Sequence, residues 1–166
     1  LPAYNEDLNL VNLINEIYDT KDLKNFKFEV IIIDDCSTDN TVNEIDKLKK
    51  KYNNLIILSN ERNYGQSYSI HKGVKQSKYR MIVTMDADGQ NNPRDVIKLL
   101  NEYDYENHNC LVGGLRLSRK DSFFKKKSSI IANYVRNIFF KDNCRDTGCA
   151  LKVFDKRIFL LIPYFK

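Results

Sequence analysis

Short apolar blocks and longer amphipathic stretches alternate along the chain. Residues 30–33 read Val-Ile-Ile-Ile behind Phe26 and Phe28, the pattern of a buried strand. Residues 55–58 and 81–85 repeat it, and residues 110–112 form a fourth block before Gly113-Gly114. The segments between have helical spacing. Leu8, Val11, Leu13, Ile14 and Ile17 form one apolar stripe, and Val42, Ile45, Leu48 and Tyr52 another. Val96, Ile97, Leu99 and Leu100 form a third, with Pro93 placed to start its helix. Thr38 or Asp39 is the expected cap of the second helix, and Gly65 the opening of a further one. Strand and helix in alternation predict an α/β domain, a mostly parallel sheet with helices on both faces.

Such sheets bind ligands beyond the carboxyl ends of their strands. Polar clusters sit at those places. Asp34-Asp35 follows the first block, and Asp86-Ala87-Asp88 follows the third. Two carboxylates one residue apart at a strand end can face the same cleft. Mg²⁺ or Mn²⁺ suits them, since these hard ions take one or two carboxylates and keep positions open for substrate phosphates. Gln90 offers a neutral oxygen, and Gly89 lets the backbone come close. The bland alternative is a turn whose aspartates cap the next helix. In the other cluster, a carboxylate can accept from a nucleobase N–H, while Ser37, Asp39 and Thr41 read as helix-capping residues. The spacing lacks the glycine and distal glutamate of a calcium loop.

Composition narrows the partners. With 166 residues, 42% hydrophobic and 30% charged, the chain suits one globular domain, without repeats or low-complexity tracts. The net charge of +5 is modest, and no nucleic-acid partner is expected. The charge is uneven, however. Residues 116–127 carry six basic side chains against the single acid Asp121, enough to attract an anionic substrate or lipid headgroups. Cys36, Cys110, Cys144 and Cys149 show no metal-binding spacing and read as free thiols of a reducing compartment. His71 and His108 are isolated. No signal peptide and no spanning segment is visible. Phe123, Phe124, Ile130, Ile131, Tyr134, Val135, Ile138, Phe139 and Phe140 suit either a core or a membrane-touching amphipathic helix. Residues 2–6 read as a loop leaving a strand.

Five motifs occur in order: Pro2-Ala3-Tyr4-Asn5-Glu6, Asp34-Asp35-x-Ser37-x-Asp39-x-Thr41, Asp86-x-Asp88-x-Gln90, Gly114-x-Arg116-x-x-Arg119-Lys120-Asp121 and Asp146-Thr147-Gly148-Cys149. Together they resemble glycosyltransferase family 2, and within it the dolichyl- and undecaprenyl-phosphate sugar transferases. The resemblance implies a GT-A type, Rossmann-like nucleotide-diphospho-sugar transferase fold. Residues 1–166 would be a single catalytic domain, a fragment lacking its first strand and a C-terminal extension. Pro2, Tyr4, Glu6, Asp35 and Asp86 would bind the nucleotide sugar, and Asp86, Asp88 and Gln90 the Mg²⁺ or Mn²⁺. Arg116, Arg119, Lys125 and Ser129 would hold the acceptor phosphate, although lysine at 125 lacks the fork of the arginine more usual there. Asp88, Arg116 and Asp146 would carry catalysis.

The implied reaction is inverting transfer of a sugar from GDP-mannose or a UDP-hexose to a polyprenyl or dolichyl phosphate. A phosphate acceptor is already ionised, so it needs cations to position it more than a base to activate it. The protein would then act at the cytosolic face of a membrane, with room for a homo-oligomer formed through the C-terminal extension. Three other readings compete. They are a saccharide hydroxyl acceptor, a phosphatase of the haloacid-dehalogenase type, and a non-catalytic nucleotide-binding module. The phosphatase chemistry wants a threonine where Gln90 stands, and no G-x-G-x-x-G supports an oxidoreductase.

Overall fold

The structure is a computed structural model that describes residues 1–115, 146 and 148–163. Its strands form two three-stranded sheets. In the first, β1 (Pro2–Ala3), β2 (Val30–Asp34) and β3 (Leu55–Ser59) run parallel with β2 in the middle. In the second, β4 (Met81–Thr84) and β5 (Leu111–Gly113) flank β6 (Lys152–Asp155), which is antiparallel to both. The helices are α1 (Asp7–Asp19), α2 (Thr41–Lys51), α3 (Gln66–Gln76), α4 (Asp95–Glu102) and α5 (Lys156–Leu161).

Side chains alternate along β2, so the strand serves two layers at once. Val30 and Ile32 join a core with Leu10, Ile14, Ile17, Ile45 and Leu48 from α1 and α2. On the opposite face, a Cβ added to Gly73 of α3 would come within 2.6 Å of the Ile33 side chain. Glycine there lets the helix lie close on the sheet. A strand buried on both faces needs an unbroken apolar run, which is why residues 30–33 read so clearly.

Several details differ from the pattern. Leu8 is 83% exposed, and Leu10 takes its place in the buried stripe of α1. Likewise Val42 is exposed, whereas Thr41 is fully buried beside Ile45 and Leu48. Both misplaced residues lie in a first helical turn, where apolarity does not decide which way the helix faces. Asp39 does cap α2, accepting from the Thr41 N–H at 2.9 Å, but Asn40 stands between it and the helix. Gly65, at φ +87°, opens α3 as expected. Pro2 and Ala3 are strand, not loop: they pair with Ile33 and Asp34. The fourth block forms β5 one residue later than expected, and β6 was not anticipated at all. Cys36, Cys110 and Cys149 are free thiols among the described residues. No helix among those residues is long and apolar enough to cross a membrane. The aromatic run from Phe123 to Phe140 lies outside them.

At the far end of the second sheet, the buried Asp155 carboxylate receives Arg80 Nε at 2.5 Å and Arg157 Nε at 3.3 Å, with His108 Nδ1 at 4.0 Å. Its Oδ1 also accepts from the Arg157 N–H at 2.8 Å, capping α5. One carboxylate thus joins the start of β4, the end of β6 and a helix. Replacing Asp155 with asparagine removes the negative charge these donors face, while Arg80 and Arg157, 44% and 61% exposed, keep access to water. The expected loss is about 1–2 kcal/mol of stability at neutral pH, read from urea unfolding.

Candidate active site

The carboxyl ends of β1, β2 and β4 converge on a cleft of about 260 Å³. Pro2, Tyr4 and Glu6 line it from the segment leaving β1, Asp35 from β2, and Asp86 and Asp88 from the loop after β4. Residues from three distant motifs therefore share one wall. Gln66, at the start of α3, completes it, and the spacing did not point to this residue.

Asp35 is nearly inaccessible and richly bonded. Its Oδ1 accepts from Asn60 Nδ2 at 2.7 Å and the Tyr64 N–H at 2.9 Å. Its Oδ2 accepts from the Gly65 N–H at 2.7 Å. Burial pushes this carboxyl up, but the bonds from Tyr64, Asn60, Gly65 and Ser69 outweigh it and hold the group below the usual carboxylate range. Lys72 Nζ in turn fixes the Asn60 Oδ1 at 2.9 Å. Asp35 therefore sets the path of the 60–66 segment. A carboxylate has about four lone-pair sites, and the donors from Tyr64, Asn60, Gly65 and Ser69 account for them.

The loops after β1 and β2 are laced together. Asn5 takes φ +54°, a conformation asparagine tolerates, and its Oδ1 accepts from the Thr38 N–H at 2.8 Å. Ser37 Oγ accepts from the Asn5 N–H, and Thr41 Oγ1 from the Glu6 N–H at 2.9 Å. Ser37, Asp39 and Thr41 therefore have structural work, as their capping pattern suggested.

Asp86 is the electrostatic opposite of Asp35. Burial and the neighbouring Asp88 push its carboxyl up, while Lys152 and Gln66 Nε2 pull the other way without cancelling the rise. Asp88 Oδ1 accepts from the Gln90 N–H at 3.0 Å across Gly89, which has φ +73°. Two crowded carboxyls with few donors suit a divalent cation. Among the described residues, no third His, Cys, Asp or Glu completes a protein cage. That donor set fits Mg²⁺ or Mn²⁺, which leave positions to water and substrate phosphates, better than a closed structural site. Gln90 itself is exposed and not among the residues lining the cleft.

Lys152 was also missed. It lies opposite Thr84 across the antiparallel ladder, on the face where Asp86 continues two residues further on. Nothing local in the sequence announces this, because the pairing spans the chain. Asp146 is placed: its Oδ1 accepts from the Gly148 N–H at 3.2 Å, and it does not line the cleft. Arg116, Arg119, Lys125 and Ser129 lie outside the described residues.

The α/β architecture is that of the GT-A fold. The chain belongs to glycosyl transferase family 2, whose family model matches residues 1–161. It is 32% identical over 156 residues to the dodecaprenyl-phosphate galacturonate synthase of Rhizobium johnstonii, covering 93% of this chain and 46% of the relative. It is also 32% identical over 162 residues to an undecaprenyl-phosphate 4-deoxy-4-formamido-L-arabinose transferase of Proteus mirabilis, covering 95% and 48%. The chain thus spans about half the length of these curated relatives. Among solved structures, glucosyl-3-phosphoglycerate synthase from Mycobacterium tuberculosis, in complex with UDP, superposes with TM-score 0.76 at 16% identity, over 98% of this chain and 57% of that one. A mannosyltransferase from Pyrobaculum calidifontis, in complex with GDP-Man and Mn²⁺, superposes with TM-score 0.61 at 20% identity, over 75% and 36%. At these identities the structures speak for the fold.

Asp35 also predicts an acid response. Its carboxyl is depressed in the fold, so its contribution to stability is present above the unfolded value of 3.8 and is lost as pH falls through the folded value. In Asp35→Asn, an amide that is half donor faces the Tyr64 and Gly65 N–H groups. The variant is expected to lose about 1–3 kcal/mol at pH 7. The gap to the parent should narrow below about pH 4, measured by chemical denaturation across that range.

Proposed function

We propose that this chain is the catalytic domain of a metal-dependent transferase that moves a sugar from a nucleotide diphosphate onto a polyprenyl phosphate, with inversion at the anomeric carbon. One observation carries the reading. The paired carboxyls Asp86 and Asp88 face the Pro2–Glu6 segment and Asp35 across a single cleft, in a chain similar to two polyprenyl-phosphate transferases.

Each residue then has a task. Asp35, on the wall of the cleft, contacts the base, and the half-exposed Tyr4 ring offers a face beside the base and ribose. Pro2 and Glu6 complete that wall. Asp86 and Asp88 would hold Mg²⁺ or Mn²⁺, joined by Gln90 if its exposed side chain turned toward the cleft, and the ion would supply charge stabilisation for the departing nucleotide diphosphate. The Lys152 ammonium, near Asp86, adds a fixed positive charge on the same side.

The acceptor brings its own nucleophile. A phosphate monoester carries a charge of about −1.5 to −2 near neutral pH, going by phosphoserine, so no side chain has to remove a proton. Arg116, Arg119, Lys125 and Ser129 grip and orient it, and Asp146 orients groups on that side. The donors to expect are GDP-mannose or a UDP-hexose. A lipid acceptor places the enzyme peripherally at a membrane surface, where the basic 116–127 stretch meets anionic headgroups.

The test is sugar transfer to a short polyprenyl phosphate from a panel of nucleotide sugars, with Mn²⁺ and with chelator, beside the matching polyprenol. Transfer is expected only to the phosphate and only with metal, and Asp88→Asn should slow it at least about a hundredfold. A product of retained configuration, or transfer only to the hydroxyl compound, overturns the reading.

A further inference from the structure

One lysine ties α3 to the end of β3. Lys72 Nζ donates to the Ser59 carbonyl at 2.7 Å and to Asn60 Oδ1 at 2.9 Å. Both acceptors are neutral oxygens, one closing β3 and the other on a side chain only 6% exposed. Lys72 is half-buried and lies outside the residues lining the cleft. Its neighbour explains how it arrives there. At Gly73, α3 lies against Ile33, which seats Ser69 and Lys72, one helical turn apart, over Asn60.

Asn60 meets the opposite demand at its other end. Its Nδ2 donates to Asp35 Oδ1 at 2.7 Å and to Ser69 Oγ at 3.0 Å. An ammonium only donates and a carboxylate only accepts, so the amide between them has a single orientation. The positive charge at Oδ1 also polarises the amide and strengthens the bond that Nδ2 gives to Asp35. Without the lysine, Oδ1 loses a charged partner in a buried place, and the amide gains by turning toward water, away from Asp35. Asp35 has no lone pair to spare, so its donors alone set how its carboxyl lies. Whatever anchors a donor is then part of the wall that Asp35 builds.

We propose that Lys72 is a positioning residue for the nucleoside side of the cleft, acting through Asn60 on Asp35. The inference rests on the reading that Asp35 contacts the base. It differs from a plain structural role in what it moves. A lysine that only tied α3 to β3 would change stability and leave affinity alone. One that sets the Asp35 carboxyl changes affinity for the nucleoside, while Asp86 and Asp88, held by the loop after β4, keep their hold on metal and diphosphate.

The full-length protein is titrated calorimetrically with UDP and with GDP, each with Mn²⁺, and with Mn²⁺-pyrophosphate as the probe that lacks a nucleoside. Asp35→Asn, Lys72→Met and Lys72→Arg are compared with the parent, and the urea midpoint of each is recorded. Lys72→Met is expected to bind the parent's preferred nucleotide about tenfold more weakly, the contribution of one net hydrogen bond, with pyrophosphate binding unchanged. Lys72→Arg, which keeps charge and donors, should recover most of that loss. In transfer assays, Lys72→Met should raise KM for the nucleotide sugar and leave kcat as it was. If Lys72→Met lowers the urea midpoint while nucleotide affinity holds, or if pyrophosphate weakens equally, the inference fails. It fails alone when Asp35→Asn weakens nucleotide binding and Lys72→Met does not. If Asp35→Asn binds as the parent does, or the parent binds neither nucleotide, the base-contact reading falls and this inference with it.

Discussion

A buried carboxylate at the end of the central strand of one sheet organises everything around this cleft. Asp35 leaves β2 with its own N–H on the Ala3 carbonyl, while the Asp34 carbonyl accepts from the Asn60 N–H. Its side chain then collects Asn60, Tyr64 and Gly65. The ends of β1, β2 and β3 and the start of α3 are thereby held at one point. A buried charge is tolerable only when donors surround it. The donors here are two backbone N–H groups, of Tyr64 and Gly65, and two side chains, of Asn60 and Ser69. The same bonds that keep Asp35 ionised give the 60–66 segment its path and bring Gln66 to the cleft.

Asp35 and Asp86 occupy equivalent places, each just beyond a strand, and their electrostatics diverge. Asp35 has more donors than burial requires, and its carboxyl is depressed. Asp86 has a carboxylate neighbour and too few donors, and its carboxyl is raised. One is satisfied by the protein and serves architecture. The other is left in want of positive charge and serves a ligand. Residue type does not distinguish them; the groups that fold against each one do.

This is also where sequence reading stops. The run at 30–33 was legible because a strand buried on both faces must be continuously apolar, and those at 55–58 and 81–85 because they are short apolar blocks rich in β-branched residues. The carboxylates after two of them were legible because α/β sheets bind ligands at strand ends. β6 was not, since its four residues include Lys152 and Asp155, whose burial depends on partners at Thr84 and Arg80. Leu8 and Val42 misled because one helical turn cannot report which face meets the sheet. Gln66 and Lys152 reach the site through contacts with residues far along the chain, which no local pattern encodes. The acceptor-side residues from Arg116 to Ser129 were assigned only through the ordered motifs, not through periodicity.

The charge of the cleft itself argues for a divalent cation. Its wall carries Glu6, Asp35, Asp86 and Asp88, and among the described residues none that lines it is basic. A nucleotide diphosphate brought against four carboxyl groups meets like charge, a juxtaposition that costs several kcal/mol. Lys152 offsets one charge from beside Asp86, which is not enough, since Asp86 stays raised in its presence. The one stretch of strongly opposite sign, residues 116–127, follows β5 and belongs to the other substrate in the proposed reaction. A wall so acidic is therefore unsuited to a bare anion and suited to an anion that arrives with a metal. A cleft of that charge repels a free diphosphate and attracts one that carries a cation.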